Sequence, residues 1–315
     1  MTMAAARYIY ICSAGHSGST LLDLIIGSHS RVAPLGEIDQ LSKNLALNTQ
    51  CSCGKPVRSC DLWQAVAERV GKEIGVDVFA RPYDLHMGYP KASTVIDPSH
   101  QTPAYLVRRR LILGALYLQL RSGASLLTPL THRVTVASDN NFRVFDAVRD
   151  ILGTDAIVDS SKSYLKAVSL YLRRPEHVRI LLLTRDGRGV LWSNLKRGTS
   201  RAAAIREWQH QYTRALPLLD RHVARNHVLR VRYEDLASTP RETLQSICDF
   251  TDLTFEESML DFRAKAHHIA NGNRMRMSGS SSIRGDDEWL DGLGPDDLAF
   301  FERAAGRLNR SLGYT

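Results

Sequence analysis

The stretch Tyr8-Ile-Tyr-Ile-Cys-Ser-Ala-Gly15-His-Ser-Gly18-Ser-Thr20-Leu-Leu-Asp-Leu-Ile-Ile26 constrains this chain more than any other. Ile9, Ile11 and the flanking tyrosines read as a buried strand, the glycines as a tight turn, and Thr20 to Gly27 as the first turns of a helix. Strand, short Gly/Ser loop and helix together make an anion cradle. Loop amides and the positive end of the helix dipole face one point, and Ser17, Ser19 and Thr20 add hydroxyl donors. An ordinary strand-to-helix turn has the same outline, so the stretch needs support from elsewhere in the chain. Laid on the G-x-x-x-x-G-K-[ST] pattern, Gly18 and Thr20 fit, but Ser13 stands for the first glycine and Ser19 for the lysine. Without that lysine nothing reaches a γ-phosphate. The loop suits a phosphate-bearing nucleotide whose chemistry is not γ-phosphoryl transfer, and a second anion site is expected downstream.

The 315 residues, 43% of them hydrophobic, suffice for one large α/β core with a helical insertion. A net charge of +8 suits an anionic ligand, a nucleic acid or a membrane surface, but the arginines are dispersed among helices rather than gathered in a tract. The best apolar run, Leu111 to Leu120, is too short to span a bilayer, which leaves peripheral membrane contact open. Met1 to Arg7 does not resemble a signal peptide, since strand residues follow at once. A soluble, cytoplasmic protein is expected. The five cysteines, at 12, 51, 53, 60 and 248, are an odd number that argues against a secreted disulfide framework. Cys51, Cys53 and Cys60 make three quarters of a zinc site, yet C-x-C is not the usual C-x₂-C knuckle and no fourth ligand is adjacent. A loop staple or free thiols is the preferred reading, with no metal.

Along the chain, helices are expected near Ile38–Leu47, Asp61–Gly75, Ala104–Arg121 and Asn140–Leu152. Prolines 82, 90, 98 and 103 mark a long irregular 81–103 loop of the kind that forms a lid or substrate-binding segment. Ala156–Lys162, a helix from Tyr164 to Leu172 and His177–Arg185 form a βαβ unit and hence a parallel sheet. A helix from Arg201 to Ala224, a strand from Val228 to Leu236, a helix opened by a Thr239-Pro-Arg-Glu242 capping box, and a closing helix from Asp296 to Leu312 complete the pattern. One domain over 1–315 is expected: a P-loop-like parallel sheet flanked by helices, with a largely helical insertion over about 61–152 as a substrate cap.

The second anion site follows the strand ending at Thr184. In a parallel sheet the carboxyl ends of neighbouring strands share an edge, so Arg185 can face the same crevice as the Gly15–Thr20 loop. Ser193 can join its guanidinium around one phosphate if the intervening turn folds back. A surface arginine paired with Asp186 is the competing reading of Arg185.

Gly15-His-Ser-Gly-Ser-Thr-Leu21, Thr184-Arg185-Asp-Gly-Arg188-Gly-Val-x-x-Ser193 and Arg232-Tyr233-Glu-Asp-Leu236 with Pro240 resemble sulfotransferases that use 3′-phosphoadenosine 5′-phosphosulfate (PAPS). The Cys51–Trp63 loop, Val158-Asp-Ser-Ser-Lys162 and His268-Ile-Ala-Asn-Gly272-Asn-Arg-Met-Arg276 resemble bacterial members. The resemblance spans most of the chain and leaves roughly residues 65 to 150 outside it. It implies a nucleotide-binding transferase in which Gly15, His16, Ser17, Gly18, Ser19, Thr20 and Leu21 hold the 5′-phosphosulfate. It further implies that Arg185 and Ser193 hold the 3′-phosphate, that Tyr233 lies near the adenine, and that Gly272, Asn273 and Arg276 close a late loop over the nucleotide. The sulfuryl group would move by in-line attack of a hydroxyl or amine, with no metal required.

Two positions depart from the family pattern. His16 stands where lysine or arginine is common, which makes the charge at that point pH-dependent and leaves His16 and Lys162 as alternative leaving-group donors. Glu37 occupies the place where carbohydrate and tyrosyl-protein sulfotransferases carry a glutamate, and is the candidate base. The acceptor is expected to be a carbohydrate, glycolipid or small molecule read by residues 61–152. A P-loop nucleotide kinase and a basic nucleic-acid-binding protein are the alternatives. The first is opposed by Ser19 and the second by the absence of a basic tract or binding motif, so no nucleic-acid partner is expected.

Overall fold

A computed structural model describes residues 7–89, 102–122, 128–277, 283 and 287–315. Five strands, β1 (Tyr8–Ser13), β2 (Val32–Pro34), β3 (Ala156–Lys162), β4 (Val178–Thr184) and β5 (Val228–Arg232), form one sheet in the order β2-β3-β1-β4-β5. Every pairing is parallel. The helices are α1 (Ser19–Gly27), α2 (Leu41–Leu47), α3 (Asp61–Ile74), α4 (Pro103–Ser122), α5 (Thr128–Leu152), α6 (Tyr164–Arg173) and α7 (Gly187–Leu195), then α8 (Arg201–His222), α9 (Tyr233–Ser238), α10 (Pro240–Thr251), α11 (Trp289–Gly292) and α12 (Pro295–Ser311). No helix among the described residues is long and apolar enough to cross a membrane.

Strand alternation assigns the two faces. Tyr8, Tyr10 and Cys12 of β1 pack with Ile157, Ile180 and Leu182 against Trp63 of α3, Phe142 and Phe145 of α5, Val168 of α6 and Trp208 of α8. Ile9 and Ile11 point the other way, with Val158, Leu181 and Leu183, onto Leu22 and Ile25 of α1 and Leu244 and Ile247 of α10. With both faces covered, a central strand has no solvent side, so β1 and β4 are buried along their whole length. Such α/β sheets bind ligands outside the carboxyl ends of the strands, where the chain crosses from one side of the sheet to the other. Here that point is the end of β1, with β3 on one side and β4 on the other.

Several element boundaries differ from the sequence reading. The strand expected from Val228 to Leu236 stops at Arg232, and Tyr233 begins α9. Glu234 and Asp235 fall in the first turn of α9, where carboxylates suit the helix dipole. The helix expected from Asn140 begins at Thr128. Its first half is rich in Thr and Val, whose branched side chains disfavour helix, and this hid it. Ile38–Gln40 is a 3₁₀ turn ahead of α2. Thr239 makes no capping box: its hydroxyl donates to the Asp235 carbonyl at 3.1 Å, although Pro240 is the first residue of α10. Most of the expected 81–103 loop, and the serine run 278–282, lie outside the described residues.

Candidate active site

A cavity of about 1460 Å³ opens at the carboxyl edge of the sheet. The loop after β1 supplies its floor. His16 and Gly18 both take positive φ, 59° and 87°, so the chain turns sharply into α1. Gly18 caps α1 without a side-chain hydrogen bond, which leaves the first-turn amides to face a ligand. A Cβ at Gly18 would stand 2.4 Å from the Tyr233 ring, so only glycine lets α9 back the loop this closely. Ser19, Thr20 and Leu21 line the cavity with Gly15 and His16. Ser17 is fully buried instead. Its hydroxyl lies 3.5 Å from that of Tyr212, which also accepts from the Ala14 amide at 3.3 Å and donates to the Leu183 carbonyl at 2.9 Å. Tyr212, on the buried face of α8, thus ties the cradle to β4, and burial pushes its pKa up to about 12, so it stays a neutral donor.

Arg185 and Ser193 reach the same cavity. The turn between β4 and α7 brings both side chains to that one cavity. Asp186 caps α7 by accepting from the Arg188 amide and pairs with the Arg188 guanidinium. Arg185, buried at 5% exposure, donates to the His16 carbonyl at 2.8 Å and stacks 4.8 Å above the Tyr233 ring. The ion pair with Asp186 that competed in the sequence reading is therefore taken up by Arg188.

Glu37 lies just past β2. The β2–β3 ladder continues through Leu35 N to Val158 O and Ser160 N to Gly36 O, both 2.9 Å. Gly36 has φ 65°, and a Cβ there would stand 2.3 Å from the Asn271 carbonyl. That carbonyl accepts from the Glu37 amide at 3.3 Å, so the late loop helps to place the carboxylate. Glu37 forms an ion pair with Lys162 at the end of β3, where the β1–β3 register slips and Lys162 has φ 72°. The side chains are 20% and 17% exposed and both line the cavity. Beneath them Asp23 is fully buried, accepts from the Gly36 amide at 3.2 Å, and has its pKa raised well above the usual value by burial and by Asp159. Burial, then the charges of Arg197, Lys162 and Arg185, lower the pKa of His16, which leaves a neutral ring at neutral pH.

Gly272 and Asn273 line the cavity beside the loop, with the Asn273 amide donating to Thr20 Oγ1 at 3.4 Å. Arg276 is used differently: its guanidinium donates to the carbonyls of Gly272 (3.1 Å) and Gln50 (2.9 Å) and fastens the late loop. The opposite wall was not legible in the sequence. Arg206, Glu207, His210 and Arg214, one face of α8, meet Arg110 and Leu113 of α4 there. The buried stripe Ile205, Trp208, Tyr212 and Leu219 of the same helix was the signal, since it leaves this polar stripe facing away from the core. All five cysteines are free thiols, and Cys51, Cys53 and Cys60 converge with His268, from a distant part of the chain.

The family model described as "Sulfotransferase family" matches residues 8–257. A search of curated proteins found no match. Among solved structures, the sulfotransferase domain from the olefin synthase of Synechococcus PCC 7002 is similar, with a TM-score of 0.55 and 16% identity over 100% of this chain and 98% of that one. The sulfotransferase domain from the curacin biosynthetic pathway aligns with a TM-score of 0.51 and 16% identity over 98% of both chains. These likenesses concern the fold, while the family match covers most of the sequence and includes the β1 loop, Glu37, Lys162, Arg185 and Tyr233. The chain belongs to the sulfotransferase family.

Proposed function

We propose that the protein transfers the sulfuryl group of PAPS to a hydroxyl or amine of a carbohydrate, glycolipid or small-molecule acceptor by in-line displacement. The observation that carries this reading is that one cavity is lined both by the Gly15–Leu21 loop and by Arg185 with Ser193, two candidate anion sites, with serine in place of the P-loop lysine. A nucleotide anionic at both ends would engage both sets of donors, with Tyr233, stacked on Arg185, as a flat neighbour for its base.

In this reading the acceptor oxygen forms a bond to sulfur as the bond from sulfur to the 5′-phosphate oxygen breaks. Glu37 takes the acceptor proton, and the loop amides and a neutral His16 N–H hold the charge that develops on the leaving phosphate. Lys162 holds Glu37 in the resting site, and a sulfonate in the cradle competes for that ammonium, so substrate binding frees the base. The acceptor lies against the polar wall of α8 and α4. Arginine, glutamate and histidine there favour an acceptor rich in hydroxyls, such as a carbohydrate, over a purely apolar one.

Either PAPS or its bisphosphate product should stabilise the protein by linkage, about 2.7 kcal/mol at a hundred times Kd. A melting curve unmoved by saturating amounts of both nucleotides would overturn the reading. Transfer of labelled sulfate to a panel of sugars, glycolipids, phenols and amines then identifies the acceptor class.

A further inference from the structure

Cys51, Cys53, Cys60 and His268 bring their ligand atoms within 4.8 Å of one another. Cys53 Sγ lies 3.7 Å from Cys60 Sγ, and Cys60 Sγ lies 3.2 Å from His268 Nδ1. Bonds of about 2.3 Å to sulfur and 2.0–2.1 Å to nitrogen in a tetrahedron place neighbouring sulfurs roughly 3.8 Å apart and sulfur and nitrogen roughly 3.5 Å apart. The cluster is close to that geometry. A disulfide between Cys53 and Cys60 needs about 2.05 Å between the sulfurs, and any single disulfide leaves one of the three thiols over.

The surroundings are those of a ligand cage. Gly54, at φ 88°, turns the chain so that its amide bonds back to the Cys51 carbonyl at 3.0 Å and two cysteines face inward from one tight loop. Cys51 and Cys60 are fully buried, and the Trp63 indole donates to the His268 carbonyl at 2.9 Å, fixing the histidine's backbone. Three thiolates and one imidazole are a soft donor set that selects zinc among common divalent ions, and four protein ligands leave no open position for catalysis.

We propose that Cys51, Cys53, Cys60 and His268 bind one structural zinc ion, which pins the late loop beside the nucleotide site. This replaces the metal-free expectation from the sequence, where His268 is too distant to be recognised as the fourth ligand. The pinning is direct. Ser52, between two of the ligands, bonds to His267 O (2.6 Å) and Ile269 O (3.0 Å) and accepts from Ile269 N (2.8 Å). From His268 the chain runs on through Asn271, which holds the Glu37 amide, to Gly272 and Asn273 over Thr20. A zinc ion at the base of this loop would therefore fix both the carboxylate and the cover of the cradle. That second half rests on the proposed function, whereas metal binding itself does not.

The full chain, purified under reducing conditions, is tested for metal by elemental analysis, and one zinc per chain is expected. Replacing zinc with cobalt should give the thiolate charge-transfer and tetrahedral ligand-field bands, and a mercurial titrated against a zinc indicator should release the ion as it consumes three thiols. Folded protein with reduced thiols and no zinc after exposure to zinc salts overturns the proposal, as does a disulfide found by mass spectrometry among the three cysteines. Cys60→Ser and His268→Ala should lose the metal. Should they aggregate, release from the unmodified chain answers the same question. Zinc removal is expected to weaken binding of the bisphosphate nucleotide several-fold. Unchanged affinity would overturn the pinning while leaving the metal site standing, and a chain that binds zinc but no nucleotide would refute the PAPS reading alone.

Discussion

At the residue scale the sharpest question is His16. Its pKa is lowered from 6.5 by burial first and then by Arg197, Lys162 and Arg185. A bound anion pushes the ring pKa back up, so nucleotide binding should take up a proton below 6.5 and tighten as pH falls through that window. Protonation of the nucleotide's own phosphates works the other way, but it is common to wild type and variant. The ratio of wild-type to His16→Gln affinity, measured by calorimetry, should therefore grow between about pH 7.5 and about pH 5.5. A flat ratio would show that the ring merely lines the loop. Two carboxylates share the cavity with it, Glu37 on Lys162 and Glu207 beside Gly15. Glu37→Gln should keep nucleotide affinity and lose turnover by two or more orders of magnitude, about 10²–10⁴. Glu207→Gln should retain most of its kcat if Glu37 is the base, and the reverse pattern in single-turnover assays would move the base to α8.

Elements decide which residues meet. The β1–loop–α1 unit was legible because apolar strand, glycine turn and apolar helix follow each other without a gap, and local rules suffice for local structure. Arg185 and Ser193 were legible for a different reason: parallel strands put their carboxyl ends on one edge, so topology did the work of distance. The polar face of α8 was hidden because its partner, α4, is distant in the chain, 206 − 110 = 96 residues from Arg110 to Arg206, a separation no periodicity reports. His268 was hidden likewise, by the gap from Cys60. The β3–α6 unit carries a further feature. Lys166 of α6, wholly buried, pairs with Asp39 at 2.6 Å and Asp159 at 2.8 Å, and both carboxylates are also buried. Burial lowers the lysine's pKa, and the two carboxylates together outweigh it, for a net increase that keeps the lysine charged. Lys166→Met strands two buried carboxylates and should cost about 3–5 kcal/mol in urea denaturation. Asp39 precedes α2 and Asp159 precedes Lys162, so the same variant should also disturb the Glu37–Lys162 pair and lower kcat.

For the whole molecule, the order β2-β3-β1-β4-β5 places the first strand of the chain in the middle of the sheet. The cavity is lined from the ends of β1 and β4, from α9 and from the late loop together, so under the proposed function the stabilisation expected from PAPS should appear as one cooperative shift of the melting transition rather than a separate early phase. The late loop also gives the molecule a temporal order. The loop residues of the cradle are all present once Leu21 has been synthesised, and β1 gains both neighbours when Thr184 has emerged. The carbonyl that steadies Glu37 comes only with Asn271. On the ribosome the chain can thus build its sheet long before the Glu37 carboxylate is braced, and a nascent or prematurely ended chain would fold around the cavity with the proposed base unset.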